Sequence, residues 1–267
     1  MQATETKPFA VVTGASSGIG YELAKVFGEH GFDLLINAED AELSDAQRAL
    51  ENDEVDVDAV RADLSKPKGV EELYDRIRKS GRPVDALAVN AGIGEGGDFA
   101  RQTSLEKELE LIDLNVRSTV HLSKLVVADM VRRGTGRVLF TSSIASTMPG
   151  AFQAVYNASK SFVQSFTLAL RSELEDTGVT VTSLMPGPTD TEFFERAHLE
   201  DTRFGAGPKD DPADVARQGF EALMKGKERV VAGSLTNRLL AHGGRFVPDR
   251  AKAEVHRYMA EPGSARK

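Results

Sequence analysis

Phe9-Ala10-Val11-Val12-Thr13-Gly14-Ala15-Ser16-Ser17-Gly18-Ile19-Gly20 is the stretch that decides the fold. An apolar, β-branched run leads into a glycine-rich turn, and the amphipathic stretch 19–29 follows it. That pattern describes a buried strand turning sharply into a helix. Gly14, Gly18 and Gly20 permit the turn and a close approach of the backbone to a ligand. The free N–H groups at the helix start then face an anion such as a pyrophosphate. The spacing is Gly-x-x-x-Gly-x-Gly, which departs from the standard Gly-x-Gly-x-x-Gly fingerprint. Gly14-Ala15-Ser16-Ser17-Gly18 also fits the elbow of a serine hydrolase. That alternative needs Ser16 to be activated by a histidine, for which His198, His242 and His256 are available.

Outward from this turn, apolar runs alternate with amphipathic stretches. The strands are expected at 9–13, 33–37, 57–62, 86–90, 137–142, 180–185 and 229–232. The helices are expected at 19–29, 41–51, 69–79, 105–132, 151–177, 212–225 and near 235–241. Strict alternation predicts βαβ units, hence an α/β, doubly wound, parallel seven-stranded sheet flanked by helices in a single domain over 1–267. The stretch 186–212 has little periodicity and reads as a substrate loop at the carboxyl edge of the sheet. Residues 235–267 form a C-terminal extension. The second strand leads to Glu39, about twenty residues past Gly18, where an acid meets the adenine ribose 2′-hydroxyl. Such an acid repels a 2′-phosphate, so NAD(H) is favoured over NADP(H).

A second motif carries the chemistry. Tyr156-Asn157-Ala158-Ser159-Lys160 places a phenol and an ammonium one helical turn apart, thirteen residues beyond Ser143. A nearby cation favours the phenolate and lowers the phenol pKa, which suits Tyr156 to proton transfer. Ser143 closes the strand 137–142, where its hydroxyl can stabilise charge on a substrate oxygen. Together with the glycine turn, these residues predict hydride transfer between a nicotinamide and an alcohol or carbonyl. Phe99, Ile144, Met148, Phe152, Phe193 and Phe194 are candidates for lining the substrate pocket.

On these residues the chain resembles the classical short-chain dehydrogenase/reductase family, from Thr13 to about Ala232. The resemblance implies a Rossmann-type fold and a catalytic set of Asn115, Ser143, Tyr156 and Lys160, with Asn115 holding a water for proton relay. It implies dinucleotide contacts from Gly14, Ser16, Ser17, Gly18, Ile19 and Gly20 at the turn. Glu39, Asp63 and Leu64 belong to the adenine end, and Asn90, Ala91 and Gly92 lie beside the cofactor. Tyr156, Lys160, Pro186, Gly187, Thr189 and Thr191 complete the set. The family also implies a homodimer or homotetramer.

Composition narrows the rest. The 267 residues include no cysteine, which excludes disulfides and thiolate chemistry. The five histidines show no metal-type spacing, so no metal is expected. A net charge of -8 argues against nucleic acid as a partner. No apolar run is long enough for a membrane span, and the polar N-terminus lacks a signal-peptide core, so a cytoplasmic location is expected. The expected partner is a small alcohol or carbonyl compound. A dinucleotide-binding regulator or scaffold with little turnover remains the non-enzymatic alternative to the oxidoreductase.

Overall fold

The strand β1 (Phe9–Thr13) is buried along its whole length. Successive side chains of a strand point to opposite faces, so Phe9 and Val11 enter one core and Ala10 and Val12 the other. A strand buried on both faces belongs at the centre of a parallel sheet covered on two sides. The computed structural model, which describes residues 7–234 and 247–266, has that arrangement. β2 (Asp33–Ala38), β3 (Val57–Arg61), β4 (Ala86–Val89), β5 (Gly136–Thr141), β6 (Val179–Pro186) and β7 (Arg229–Ala232) join β1 in one parallel sheet. The order is β3-β2-β1-β4-β5-β6-β7.

On one face lie α1 (Gly18–Glu29), α2 (Leu43–Leu50) and α9 (Pro212–Met224). Their core includes Phe27, whose ring meets Phe32 and Phe220 edge-on at 5.1 Å each. Burying each such ring contributes about 1.5–3 kcal/mol. The other face holds α3 (Pro67–Lys79), α5 (Thr119–Arg133) and α6 (Ala154–Glu173). β1 and β4 are neighbours in the sheet although the chain winds outward from them in opposite directions. A ligand crevice opens at such a switch point, beyond the carboxyl ends of the strands.

The expected strands are all present, with ends shifted by a residue at most. The helices differ in three informative places. The long helix expected at 105–132 is α4 (Leu105–Ile112) and α5 joined through a wide π turn, Asp113–Ser118. α6 starts at Ala154 rather than 151, because Phe152 takes a left-handed φ of 63° and Gln153 becomes the N-cap. The stretch 186–212 contains two single turns of helix, α7 (Phe193–Arg196) and α8 (Arg203–Ala206). The helix expected at 235–241 lies outside the described residues. A further helix, α10 (Asp249–Ala260), was not anticipated.

Candidate active site

The first turn of the chain builds the crevice floor. Gly14 has φ +65, and a Cβ there would sit 2.8 Å from the Cα of Ala91. At Gly20 a Cβ would fall 1.8 Å from the Gly14 carbonyl oxygen, so the chain folds back on itself with no room for a side chain. Asn90 ties the strand ends together beneath this turn. Its Nδ2 donates to the carbonyls of Thr13 (3.2 Å) and Gly14 (3.3 Å), and its Oδ1 accepts from the Thr141 hydroxyl at 3.0 Å. Asn90 thereby links β1, β4 and β5. Thr191 closes the turn from above, its methyl 2.9 Å from where a Gly18 Cβ would lie.

Above this floor opens a cavity of about 850 Å³. It runs from Glu39, Asp63 and Leu64 at one end, past the glycine turn and Ala91–Gly92, to Ser143, Tyr156 and Lys160. Ser16, Ser17, Ile19, Asn90, Pro186, Gly187, Thr189 and Thr191 also line it. Every residue expected at the dinucleotide thus faces one continuous space. The cavity fits such a ligand on independent grounds. The first N–H groups of α1 have no intrahelical partner, and no acid occupies its first turn. At the adenine end, buried Oδ1 atoms of Asn37 and Asp40 also have no partner. These polar atoms, and the cradle that a Cβ would fill, match a long polar ligand.

At the other end, Ser143, Tyr156 and Lys160 are each at least nine-tenths buried. Ser143 Oγ accepts from the Ala145 N–H at 3.1 Å and faces the Pro186 carbonyl at 3.4 Å, bridging the ends of β5 and β6. Lys160 Nζ donates to the Thr141 carbonyl at 3.0 Å and lies 6.0 Å from the centre of the Tyr156 ring. Phe193 packs against that ring at 5.2 Å. The proximity expected from the sequence is therefore present, but its electrostatic consequence differs. Burial pushes the Tyr156 phenol up to about 12, with the Ser143 hydroxyl pulling weakly the other way. Burial also lowers the Lys160 ammonium to about 8. Desolvation outweighs the attraction between the two groups in the protein alone.

This arrangement predicts a stability signature. The unfolded chain binds more protons than the folded one between about 8 and the ordinary lysine value of 10.5, so the Lys160 penalty is full below pH 8 and relieved above it. Tyr156 acts oppositely: its contribution is full below 10.0 and lost as pH rises through about 12. Lys160→Met should therefore be inactive yet more stable at pH 7 by on the order of 2 kcal/mol, allowing for the lost hydrogen bond to Thr141. Denaturant titrations at pH 7 and pH 10 check this, since the gain should shrink at the higher pH. A variant less stable at pH 7 would contradict it.

Asn115 sits behind the cavity rather than in it. Its Oδ1 accepts from the Ile93 N–H (2.9 Å), and its Nδ2 donates to the Ile93 carbonyl (2.9 Å) and Ser159 Oγ (3.0 Å). The side chain holds the segment after β4 against α6, beside the neighbour of Lys160. Ser16 donates to Asp40 Oδ2 at 2.8 Å, and among the described residues no histidine bonds to it. His242 lies outside the described residues. Of the expected pocket aromatics, Phe193 and Phe194 line the cavity with Ile144 and Met148, whereas Phe99 and Phe152 do not. Phe99 is 62% exposed, and Phe152 lies under the Arg257 guanidinium at 5.3 Å.

The contribution missed in the sequence comes from α10. Lys252, Val255, His256 and Met259 lie along one stripe of it and line the substrate end of the cavity. Their i, i+3, i+4, i+7 spacing is the only sequence signal, and two of the four are titratable.

Comparison with known proteins agrees with this geometry. A family model for short chain dehydrogenases matches residues 8–201, and the chain belongs to that family. An uncharacterized oxidoreductase of Staphylococcus saprophyticus is 31% identical over 218 residues, covering 81% of this chain and 91% of its own. A short-chain dehydrogenase from Sphingobium yanoikuyae, solved in complex with NADPH, superimposes with a TM-score of 0.78 at 29% identity, covering 84% of this chain and 87% of its own. A 3-ketoacyl-(acyl-carrier-protein) reductase from Brucella melitensis, complexed with NADH, does so with a TM-score of 0.74 at 26% identity, covering 84% and 96%. The chain is an NAD(P)-dependent oxidoreductase acting on CH–OH groups. Among the described residues no helix is long and apolar enough to cross a membrane.

Proposed function

We propose that the protein interconverts a ketone or aldehyde and its alcohol, with Tyr156 carrying the proton. The convergence of Ser143, Tyr156 and Lys160 on one end of the dinucleotide-sized cavity is the observation that carries this reading. A bound nicotinamide supplies or accepts the hydride. With its phenol near 12, Tyr156 is fully protonated at neutral pH and stands ready to donate to a forming alkoxide. Ser143 orients the substrate oxygen, and Lys160 holds positive charge beneath the phenol as proton density leaves it. Consumption of NADH or NADPH against a panel of ketones and aldehydes tests the proposal. Absence of turnover in both directions, with cofactor bound, would favour a non-catalytic dinucleotide sensor instead.

NAD(H) is the preferred cofactor in this reading. Glu39 stands at the adenine end with Asp40 and Asp63 near it, and its carboxyl is raised first by partial burial and then by Asp63. Arg61 is spent on the Glu39 backbone carbonyl at 2.9 Å, and Arg196, which also lines the cavity, pulls the Glu39 carboxyl weakly the other way. The NADPH-bound and NADH-bound relatives make either choice open to the family. Glu39→Arg should shift the ratio of NADPH to NADH affinity upward by about ten- to a hundredfold, as expected for replacing repulsion by attraction at a partly solvated phosphate. Thermal-shift titrations with the two reduced cofactors read this ratio. An unchanged ratio would remove Glu39 as the selector.

Leu105, Leu109 and Ile112 on α4 and Phe162 on α6 are exposed apolar side chains, which supports self-association into a dimer or tetramer. The cysteine-free, acidic composition supports a cytoplasmic setting.

A further inference from the structure

Two polar side chains in the substrate end of the cavity have hydrogen-bonding capacity that the protein does not use. Gln153, the N-cap of α6 and one turn ahead of Tyr156, is 6% exposed and lines the cavity. Among the described residues neither its amide oxygen nor its amide nitrogen has a partner. The amide opens onto the cavity, where a ligand or water meets it. His256 on α10 is 2% exposed and lines the same space. Its Nδ1 lies 2.9 Å from the Ala151 carbonyl, which can only accept, so Nδ1 carries the proton. In the neutral ring Nε2 is then a bare acceptor, and burial favours that neutral form. The carbonyl that fixes this tautomer is two residues from Gln153, so α10 and the start of α6 meet at this point.

Met148, Phe193, Phe194, Phe204 and Met259 give the same cavity an apolar wall, and Lys252, one turn ahead of His256, adds an ammonium that pairs with Asp249 at 3.1 Å. The Phe204 ring packs on His256 at 5.3 Å. α10 is held in place from outside the pocket. Arg203 donates to the Tyr258 carbonyl at 2.8 Å and lies 3.9 Å over its ring. The Ala265 N–H reaches the Asp201 carbonyl at 2.8 Å.

We infer that Gln153 and His256 form a subsite for a second oxygen on the substrate, a hydroxyl carried by a bulky apolar carbonyl compound. A hydroxyl satisfies both groups at once, donating to His256 Nε2 and accepting from the Gln153 amide. A second carbonyl satisfies only Gln153, and a plain hydrocarbon chain leaves both unpaired. The inference rests on the proposed carbonyl–alcohol chemistry for its substrate, and its test separates the two.

Benzoin and deoxybenzoin share one two-ring skeleton and one ketone, and only benzoin carries the neighbouring hydroxyl. The wild-type enzyme should prefer benzoin in kcat/KM by at least about tenfold, the scale of one or two buried hydrogen bonds. Gln153→Leu and His256→Phe should each bring that ratio close to unity, whatever they do to the turnover of deoxybenzoin alone. His256→Phe keeps a ring against Phe204 but gives up the bond to the Ala151 carbonyl, so Gln153→Leu, which breaks no side-chain hydrogen bond among the described residues, separates lost hydroxyl pairing from a shift of α10. A wild-type ratio near one, or a ratio that survives both substitutions, overturns the subsite. If neither ketone is turned over, the failure belongs to the reductase reading. The subsite is then judged by thermal shift with hydrobenzoin, a diol, against bibenzyl, which lacks both oxygens. A larger shift with hydrobenzoin that disappears in Gln153→Leu supports the subsite, and equal shifts overturn it.

Discussion

Tyr156→Phe is expected to lower turnover by between about 10²- and 10⁴-fold while keeping dinucleotide affinity and fold. The substitution removes one oxygen and leaves the ring, which stays packed against Phe193 at 5.2 Å. Among the described residues no other side chain lining the cavity combines nine-tenths burial, contact with Ser143 and an ionisable proton on oxygen. Thermal-shift titration with the reduced cofactor should give the wild-type response, and steady-state assays should show the fall chiefly in kcat. Near-native turnover would exclude Tyr156 as the proton carrier. Loss of cofactor binding together with turnover would instead make the residue structural.

The second large effect belongs to the glycine turn. Gly20→Ala asks a methyl to occupy a point 1.8 Å from the Gly14 carbonyl oxygen and 2.5 Å from Asn90 Nδ2. Neither neighbour is the end of a flexible chain: one is backbone, and the other is fixed by bonds to Thr13 and Gly14. The turn must open, at a cost of at least about 3 kcal/mol, which for a chain of this length lowers Tm by roughly 6–12 °C. Cofactor-induced stabilisation should vanish as well. Gly28→Ala, on the same helix, is the matched control. Its methyl would meet Val55 at an ordinary 3.5 Å and would add helix propensity worth up to about 1 kcal/mol. Thermal melts of both variants with and without cofactor decide the matter, and a Gly20→Ala protein that melts like wild type would show that the turn adapts.

These two sites were readable from the chain because each is local. A buried strand, a glycine turn and a helix occupy 21 consecutive residues, Phe9 to Glu29, and the phenol and ammonium are four apart on one helix. What escaped reading depends on contacts between distant segments. The partners of the Asn115 amide, Ile93 and Ser159, are one case: that pairing is fixed by how the π turn meets α6. The delayed start of α6 depends on Phe152, whose left-handed backbone is braced by Arg257 from the chain's other end. α10 was hidden by composition. Its sequence, Asp-Arg-Ala-Lys-Ala-Glu-Val-His-Arg-Tyr-Met-Ala, is polar on most of its circumference and shows the cavity only a narrow stripe. Such a helix resembles a solvated tail until its partners are known. The electrostatics escaped for a related reason: residue spacing reports that Lys160 and Tyr156 are close, but burial, set by the whole fold, decides which effect on their pKa values wins.

The position of α10 has a consequence for how such a protein diversifies. The groups that handle hydride and proton stand on β5 and α6, whereas much of the wall facing the rest of the substrate arrives on one short helix after the last strand. That helix is fastened by a few contacts, to Asp201 through the turn that follows it, to Arg203 and to Ala151, none of which belongs to the sheet. Rewriting or exchanging twelve residues near the carboxyl terminus thus retailors the guest list without disturbing the reaction, and lineages or engineers can trade one clientele for another at small structural risk.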